Sequence, residues 1–492
     1  MEKRTMAEFT YKYQMYKSLQ ADIPLILAEA KEAAEEIGIP AELRGKLGLT
    51  GADSTCPAPL REDIIKVAAD IASKVVPLAK LVDEIREIVK SVYGDEYDAA
   101  PVNTCEAALW VCFDTLFCPP ISGRGDNYRA RYLAPYEKQL HYQGSYGRPY
   151  PPRYKDYLGD RGGTAGELGS LGKRLNNLDI VLVPLDGARY DVHGINYHPI
   201  PLLRDVNVRG SAAAMRKFAE MHHDSVTGIT SLAYDTPCYG YGEKDEDGTP
   251  LLQKMYAQIG KEYNIPYIMN NAWGLPFVGS DPRKTGADLI VYSMDKATGA
   301  DTSGLIIGKE ECMVPIRRAL GMHGNRYGTA SSYTKAAYTA FDPGKHALAT
   351  LVQALKVLRD QPRALTDSVD DMEKIVREEF ANIHPRLKAG IQIYKSYNSR
   401  TIEVNYEGTW KDGGLGLPIF SMEDVASGSN IISAGLDQMG IMPSGANDGT
   451  ICLSPDMGTT DEKGNLLPEP TRYAVKGLVR ILEIIGKHAG FI

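Results

Sequence analysis

The chain has 492 residues, 43% of them hydrophobic and 24% charged, which is ordinary for globular protein and enough to build two or three substructures rather than one core. A formal charge of -8 gives no broad attraction to nucleic-acid phosphates, no apolar run reaches the length of a membrane span, and "MEKRTMAEFTYKYQ" has no apolar signal core, so a cytoplasmic protein without nucleic-acid or membrane partners is expected. The seven cysteines are scattered, with no C-x-x-C pair and no histidine at metal spacing; they read as reduced structural thiols, with no metal site.

Residues 1–95 read as an N-terminal helical segment. "IPLILAEAKEAAEEIG" and "REDIIKVAADIASKVVPLAKLVDEIREIVKSVYG" carry apolar residues at helical spacing, and Pro77 kinks or divides the second. Between them, "GLTGADSTCPAP" is rich in turn formers and reads as a loop that can reach a site. Residues 96–345 change to strand-length apolar runs alternating with helical stretches: "DIVLVPLD", "GITSLAYDTP", "PYIMNN", "ADLIVYSMDK" and "SGLIIGKEE". That alternation implies a large α/β domain around a mostly parallel sheet, with ligands beyond the carboxyl ends of its strands. Residues 119–175 interrupt it with a Tyr-, Arg-, Gly- and Pro-rich excursion that suits a pocket cover, a dimer contact or a nucleic-acid contact. From 346 to 492, two helical stretches and a strand, helix, strand pattern form a smaller α+β domain.

Three features carry chemistry. In "APVNTCEAALWVCFDTLF", Asn103 and Thr104 precede a helical pattern, so their side chains and the following N–H groups, from Cys105 onward, form a candidate phosphate cradle. "PYIMNNAWG" ends a strand on Asn270 and Asn271, where an open sheet presents polar groups to a ligand. "ADLIVYSMDKATGADTSGLIIG" places Lys296 after a buried strand, a position that suits an imine-forming amine. Each feature alone also fits an ordinary capped helix, strand end or loop charge.

Taken in this order, the three resemble the fold-type-I pyridoxal-phosphate enzymes over residues 100–345. Within that group, Asn270-Asn-Ala-Trp-Gly274 resembles the O-phosphoseryl-tRNA:selenocysteinyl-tRNA synthase family, where most fold-type-I enzymes carry Asp-x-Ala-x-Gly. "ARYDVHG" is similar to that family's Arg-x-Asp-x-Lys-Ser, with His193 in place of lysine; "YSMDK" resembles its Ser-x-Asp-Lys, and "MHGNRYGTASSYTKA" its Gly-Arg-x-Ser-Ala-Ser.

The resemblance implies pyridoxal 5'-phosphate as cofactor and a homo-oligomer, dimer or tetramer. It implies Lys296 as the attachment lysine and base, Asn103, Thr104 and Cys105 at the phosphate, Asn270 at the pyridine nitrogen and Thr236 at the phenolic oxygen. His193 or His141 stacks on the ring or meets the substrate, and Arg189 and Arg326 bind a substrate carboxylate or phosphate. A neutral amide at 270 does not enforce a protonated ring. The favoured reading is therefore a lyase or transferase that performs β-elimination or β-replacement on a small amino acid. Decarboxylation or aldol cleavage on the same cofactor, a tRNA-dependent aminoacyl conversion using Arg129 and Arg131, and a non-catalytic scaffold remain as alternatives.

Overall fold

The computed structural model describes residues 12–50, 60–117, 131–136, 179–184, 208–224, 226–239, 241–322, 338–406, 408–409, 431–443, 446–447 and 450–492. They fall into two compact units. The large unit takes the described residues from 60 to 363, and the small unit those from 12 to 50 and from 364 to 492. The helical segment expected over 1–95 is thus divided: helix Lys12–Ile37 belongs to the small unit, and helices Glu62–Ala72 and Leu78–Tyr93 to the large one. Helix Lys345–Asp360, expected in the C-terminal domain, also lies in the large unit. Periodicity marks these stretches as helices but says nothing about which core receives their apolar faces. Pro77 does separate two helices, as the cap of Leu78–Tyr93, because proline lacks the N–H that an unbroken helix needs.

The large unit is built on seven strands: β1 (Tyr97–Val102), β2 (Arg131–Tyr136), β3 (Asp179–Pro184), β4 (Val226–Leu232), β5 (Tyr267–Asn271), β6 (Leu289–Ser293) and β7 (Gly304–Lys309). Their order is β1-β7-β6-β5-β4-β2-β3. Strands β2 to β6 pair in parallel, whereas β7 runs antiparallel to both β6 and β1. The reversal follows from connection length. Only ten residues join β6 to β7, too few for the dozen or more a parallel crossover requires. Every residue of β1, β4, β5 and β6 is buried, as expected for strands covered on both faces.

This topology fixes where the strand ends lie. Leu232 pairs with Asn270, Asn270 with Val291, Ser293 with Gly304, and Gly304 with Val102. The carboxyl ends of β1, β4, β5 and β6 therefore share one edge of the sheet with the start of β7. Gly304 is required there: a Cβ would fall against the backbone carbonyl of Thr104, which cannot give way. Behind the edge, fully buried Asp98 on β1 is held by both nitrogens of an Arg86 fork at 2.8 and 2.9 Å and by Arg317, tying the sheet to two helices.

In the small unit a four-stranded antiparallel sheet carries strands β8 (Gln392–Ser396), β9 (Thr401–Asn405), β10 (Ala446–Asn447) and β11 (Thr450–Leu453), in the order β10-β11-β9-β8. Arg400, in the turn between β8 and β9, has φ +53° and a buried guanidinium. It pairs with Asp456 and donates to Leu365 O at 2.9 Å and Ser368 Oγ at 3.2 Å. Helix Pro468–His488 packs on helix Lys12–Ile37 around an apolar core that includes Ile26, Ala30, Leu478 and Ile481. At its end, buried His488 lies between Asp22 at 3.4 Å and Glu29 at 2.9 Å.

Candidate active site

Asn270 is the last but one residue of β5 and is 3% exposed. Its Oδ1 accepts the Ala272 N–H at 3.1 Å, which orients the amide. The Nδ2 group is left buried with no hydrogen-bond partner among the described residues. Beside it, Asn271 turns back over Gly274, whose N–H donates to Asn271 O at 2.8 Å; a Cβ at 274 would overlap the Asn271 amide. Glycine in "NNAWG" thus makes room for the second asparagine.

On the neighbouring strand, the segment after β4 is anchored carbonyl by carbonyl. Gln253 Nε2 donates to Tyr234 O at 2.9 Å and Leu232 O at 3.4 Å, Ser280 Oγ donates to Ala233 O at 2.9 Å, and Ala233 N donates to Asn270 O at 2.9 Å. This anchoring sets Thr236, whose Oγ1 is buried and also lacks a partner among the described residues. Tyr234 meets Trp273 in a tilted ring pair with centroids 6.2 Å apart, joining the loops that follow β4 and β5.

Lys296 sits half-buried in the turn after β6, and no hydrogen bond or ion pair of its ammonium is found among the described residues. Burial pushes the thiol of Cys105 well up, and the Lys296 charge works against that push, so the ammonium lies within electrostatic reach of the helix Cys105–Cys112. Thr104 caps this helix, its Oγ1 accepting Ala107 N–H at 3.0 Å, and the first intrahelical bond is Ala108 N–H to Thr104 O. The N–H groups at 105 and 106 precede that bond and belong to the turn from which helices bind anions.

Asn103 Nδ2 donates to Ala340 O at 2.8 Å and the Asn103 backbone N–H to Phe341 O at 2.9 Å, so the atom left buried without a partner is Oδ1, an acceptor. The bond to Ala340 takes one N–H of the Nδ2 group, and the second remains able to donate. Asn103, Thr104, Cys105, Thr236, Asn270 and Lys296 all stand at the same sheet edge. His193, His141, Arg189 and Arg326 lie outside the described residues. Sequence reasoning did not single out Arg61, Gln253 or Ser280, which hold the site's backbone from other elements.

Solved structures share this architecture. One is the SepCysS–SepCysE N-terminal domain complex, at 13% identity and a TM-score of 0.51, covering 91% of this chain and 97% of that one. Another is taurine:2-oxoglutarate aminotransferase from Bifidobacterium kashiwanohense, in complex with PLP and glutamate, at 11% identity and 0.52, covering 86% and 85%. A third is pyridoxamine-pyruvate aminotransferase from Mesorhizobium loti, at 14% and 0.50, covering 91% and 94%. The fold is that of the fold-type-I pyridoxal-phosphate enzymes. No protein-family model and no curated protein sequence matches the chain, so the fold-type-I likeness rests on architecture. Among the described residues, no helix is long and apolar enough to cross a membrane.

Proposed function

We propose that this chain is a pyridoxal-phosphate-dependent lyase or transferase that performs β-elimination or β-replacement on a small amino acid. The observation that carries the reading is the buried, unpartnered Nδ2 of Asn270 at the carboxyl end of β5. A buried amide donor without an acceptor costs about 1–3 kcal/mol, and a ring nitrogen that keeps its lone pair would remove that cost. Thr236 Oγ1 supports the reading independently, as a buried hydroxyl able to donate to a phenolic oxygen. The residues present therefore fit the cofactor at two of its polar atoms.

Lys296 would attach the cofactor and then, displaced by the substrate amine, move the proton at the substrate α-carbon. The helix N–H groups at 105 and 106 would receive the phosphate, helped by the Thr104 cap that orders the turn. When bound, the cofactor supplies an electron sink for charge developing at that α-carbon. Asn270 sets how strong the sink is. Because Nδ2 is the amide atom left buried without a partner among the described residues, the side chain offers a donor and favours an unprotonated ring nitrogen. A weaker sink suits a substrate whose β-substituent departs as soon as the α-proton is removed. It disfavours transamination, which holds charge on the ring for longer.

Purified protein loaded with pyridoxal phosphate is to be offered amino acids with anionic or thiol β-substituents. Pyruvate and ammonia, or a β-substituted amino acid, are expected; carbon dioxide or an aldehyde would move the assignment to decarboxylation or aldol cleavage. Asn270→Asp should protonate the ring and slow the native reaction. A faster Asn270→Asp enzyme with the same products would contradict the role given to the amide.

A further inference from the structure

We infer that Arg61 is a positioning residue for Lys296, an assignment that rests on the reading of Lys296 as the attachment lysine. Arg61 stands just before helix Glu62–Ala72 and is only 8% exposed. Its Nη1 donates to the backbone carbonyl of Thr298 at 2.6 Å, across 237 positions of sequence. The other two nitrogens of the fork meet Asp63 at 3.1 and 3.3 Å, and Asp63 in turn accepts Gln353 Nε2 at 3.1 Å. A planar guanidinium held at two nitrogens has little freedom at the third, so the chain Gln353, Asp63, Arg61 aims one N–H at the peptide two residues beyond Lys296.

That peptide belongs to a connection with its own internal bonds. Thr298 Oγ1 bonds Met294 O, Ala300 N donates to Met294 O at 3.3 Å and to Thr298 Oγ1 at 3.2 Å, and Asp301 N donates to Thr350 Oγ1 at 3.1 Å. Gly299 takes φ +69°, a left-handed conformation that any larger side chain would strain. The turn is thus a small cage around residues 294–300, and Arg61 grips it from outside through a main-chain atom. The contact uses no side-chain atom of Thr298. Small displacements of a reacting group are costly to rate, so a grip on this turn acts on the reach and timing of the Lys296 amine without touching cofactor or substrate.

The test compares wild type with Arg61→Ala and Arg61→Lys, using Arg359→Ala, an exposed pair with Asp360, as the surface baseline. In the unloaded protein, hydrogen exchange at the Met294 and Ala300 amides should rise about tenfold in Arg61→Ala while β5 amides keep their rates. On adding pyridoxal phosphate, attachment to Lys296 should slow about tenfold. Arg61→Lys, which can still donate to Thr298 O, should recover part of both. Unchanged exchange at 294 and 300 in a folded Arg61→Ala overturns the inference. Should that variant not fold, Asp63→Asn keeps Arg61 but removes the anion that aims it; a smaller rise at the same amides supports the assignment, and none overturns it. Failure of the wild type itself to attach the cofactor at Lys296 sinks the functional reading instead, and the exchange data register the two failures separately.

Discussion

Two regions of the molecule treat buried polar groups in opposite ways. In the small unit, Arg400 is matched by Asp456, Ser368 and the Leu365 carbonyl, and His488 has a carboxylate facing each ring nitrogen. In the large unit, Asn270 Nδ2, Thr236 Oγ1 and Asn103 Oδ1 are buried at one sheet edge without partners among the described residues. A satisfied network contributes to the folded state itself, whereas an unsatisfied cluster is a cost that a ligand can relieve.

The sharpest way to break this contrast is Arg400→Ala. Leaving Asp456 without its buried partner should destabilise the small unit by about 3–5 kcal/mol, read from denaturant unfolding and from exchange of the β9 amides. A loss below about 1 kcal/mol would mean that the network does not hold the unit together. A finer comparison sets Ser368→Ala against Thr236→Val. Removing the Ser368 hydroxyl deprives Arg400 of an acceptor and should cost about 2 kcal/mol. Removing the Thr236 hydroxyl should leave the unloaded protein as stable as before, or slightly more so, while weakening pyridoxal-phosphate binding. Equal destabilisation by both changes would erase the distinction between the Arg400 network and the sheet-edge cluster.

Acid provides the mildest probe. Burial works against ionisation of Glu29, but hydrogen bonds and charge from His488 and Lys487 outweigh it and hold its pKa below the ordinary 4.5. A carboxylate whose folded pKa is depressed contributes stability that is fully present above its ordinary value and lost as pH falls through the lower native one. Exchange in helix Lys12–Ile37 should therefore accelerate on the acid side of 4.5, and Glu29→Gln should flatten that dependence.

Much of the large unit is legible in the chain because its strands are short apolar runs that end on polar residues. Asn270 and Lys296 stand out for that reason, and the ten-residue connection after β6 already carries the reversal of β7. What stayed hidden depends on partners far away in sequence. Arg61 looks like any arginine heading an amphipathic helix until Thr298, 237 positions on, is folded against it. Asn103 is legible as a residue beside a helix cap, but the carbonyl of Ala340, which takes one N–H of its amide, lies 237 positions away. The division of the N-terminal helices between units was hidden for the same reason, since helical periodicity does not name the receiving core.

Reductive trapping tests the central claim most directly. Wild-type protein, Lys296→Ala and Asn270→Leu are incubated with pyridoxal phosphate, reduced with borohydride, digested and mapped by mass spectrometry. A pyridoxyl group on the Lys296 peptide of the wild type, absent in Lys296→Ala and weakened in Asn270→Leu, is the predicted result. No adduct at Lys296, or adducts spread over surface lysines and indifferent to both substitutions, would contradict it.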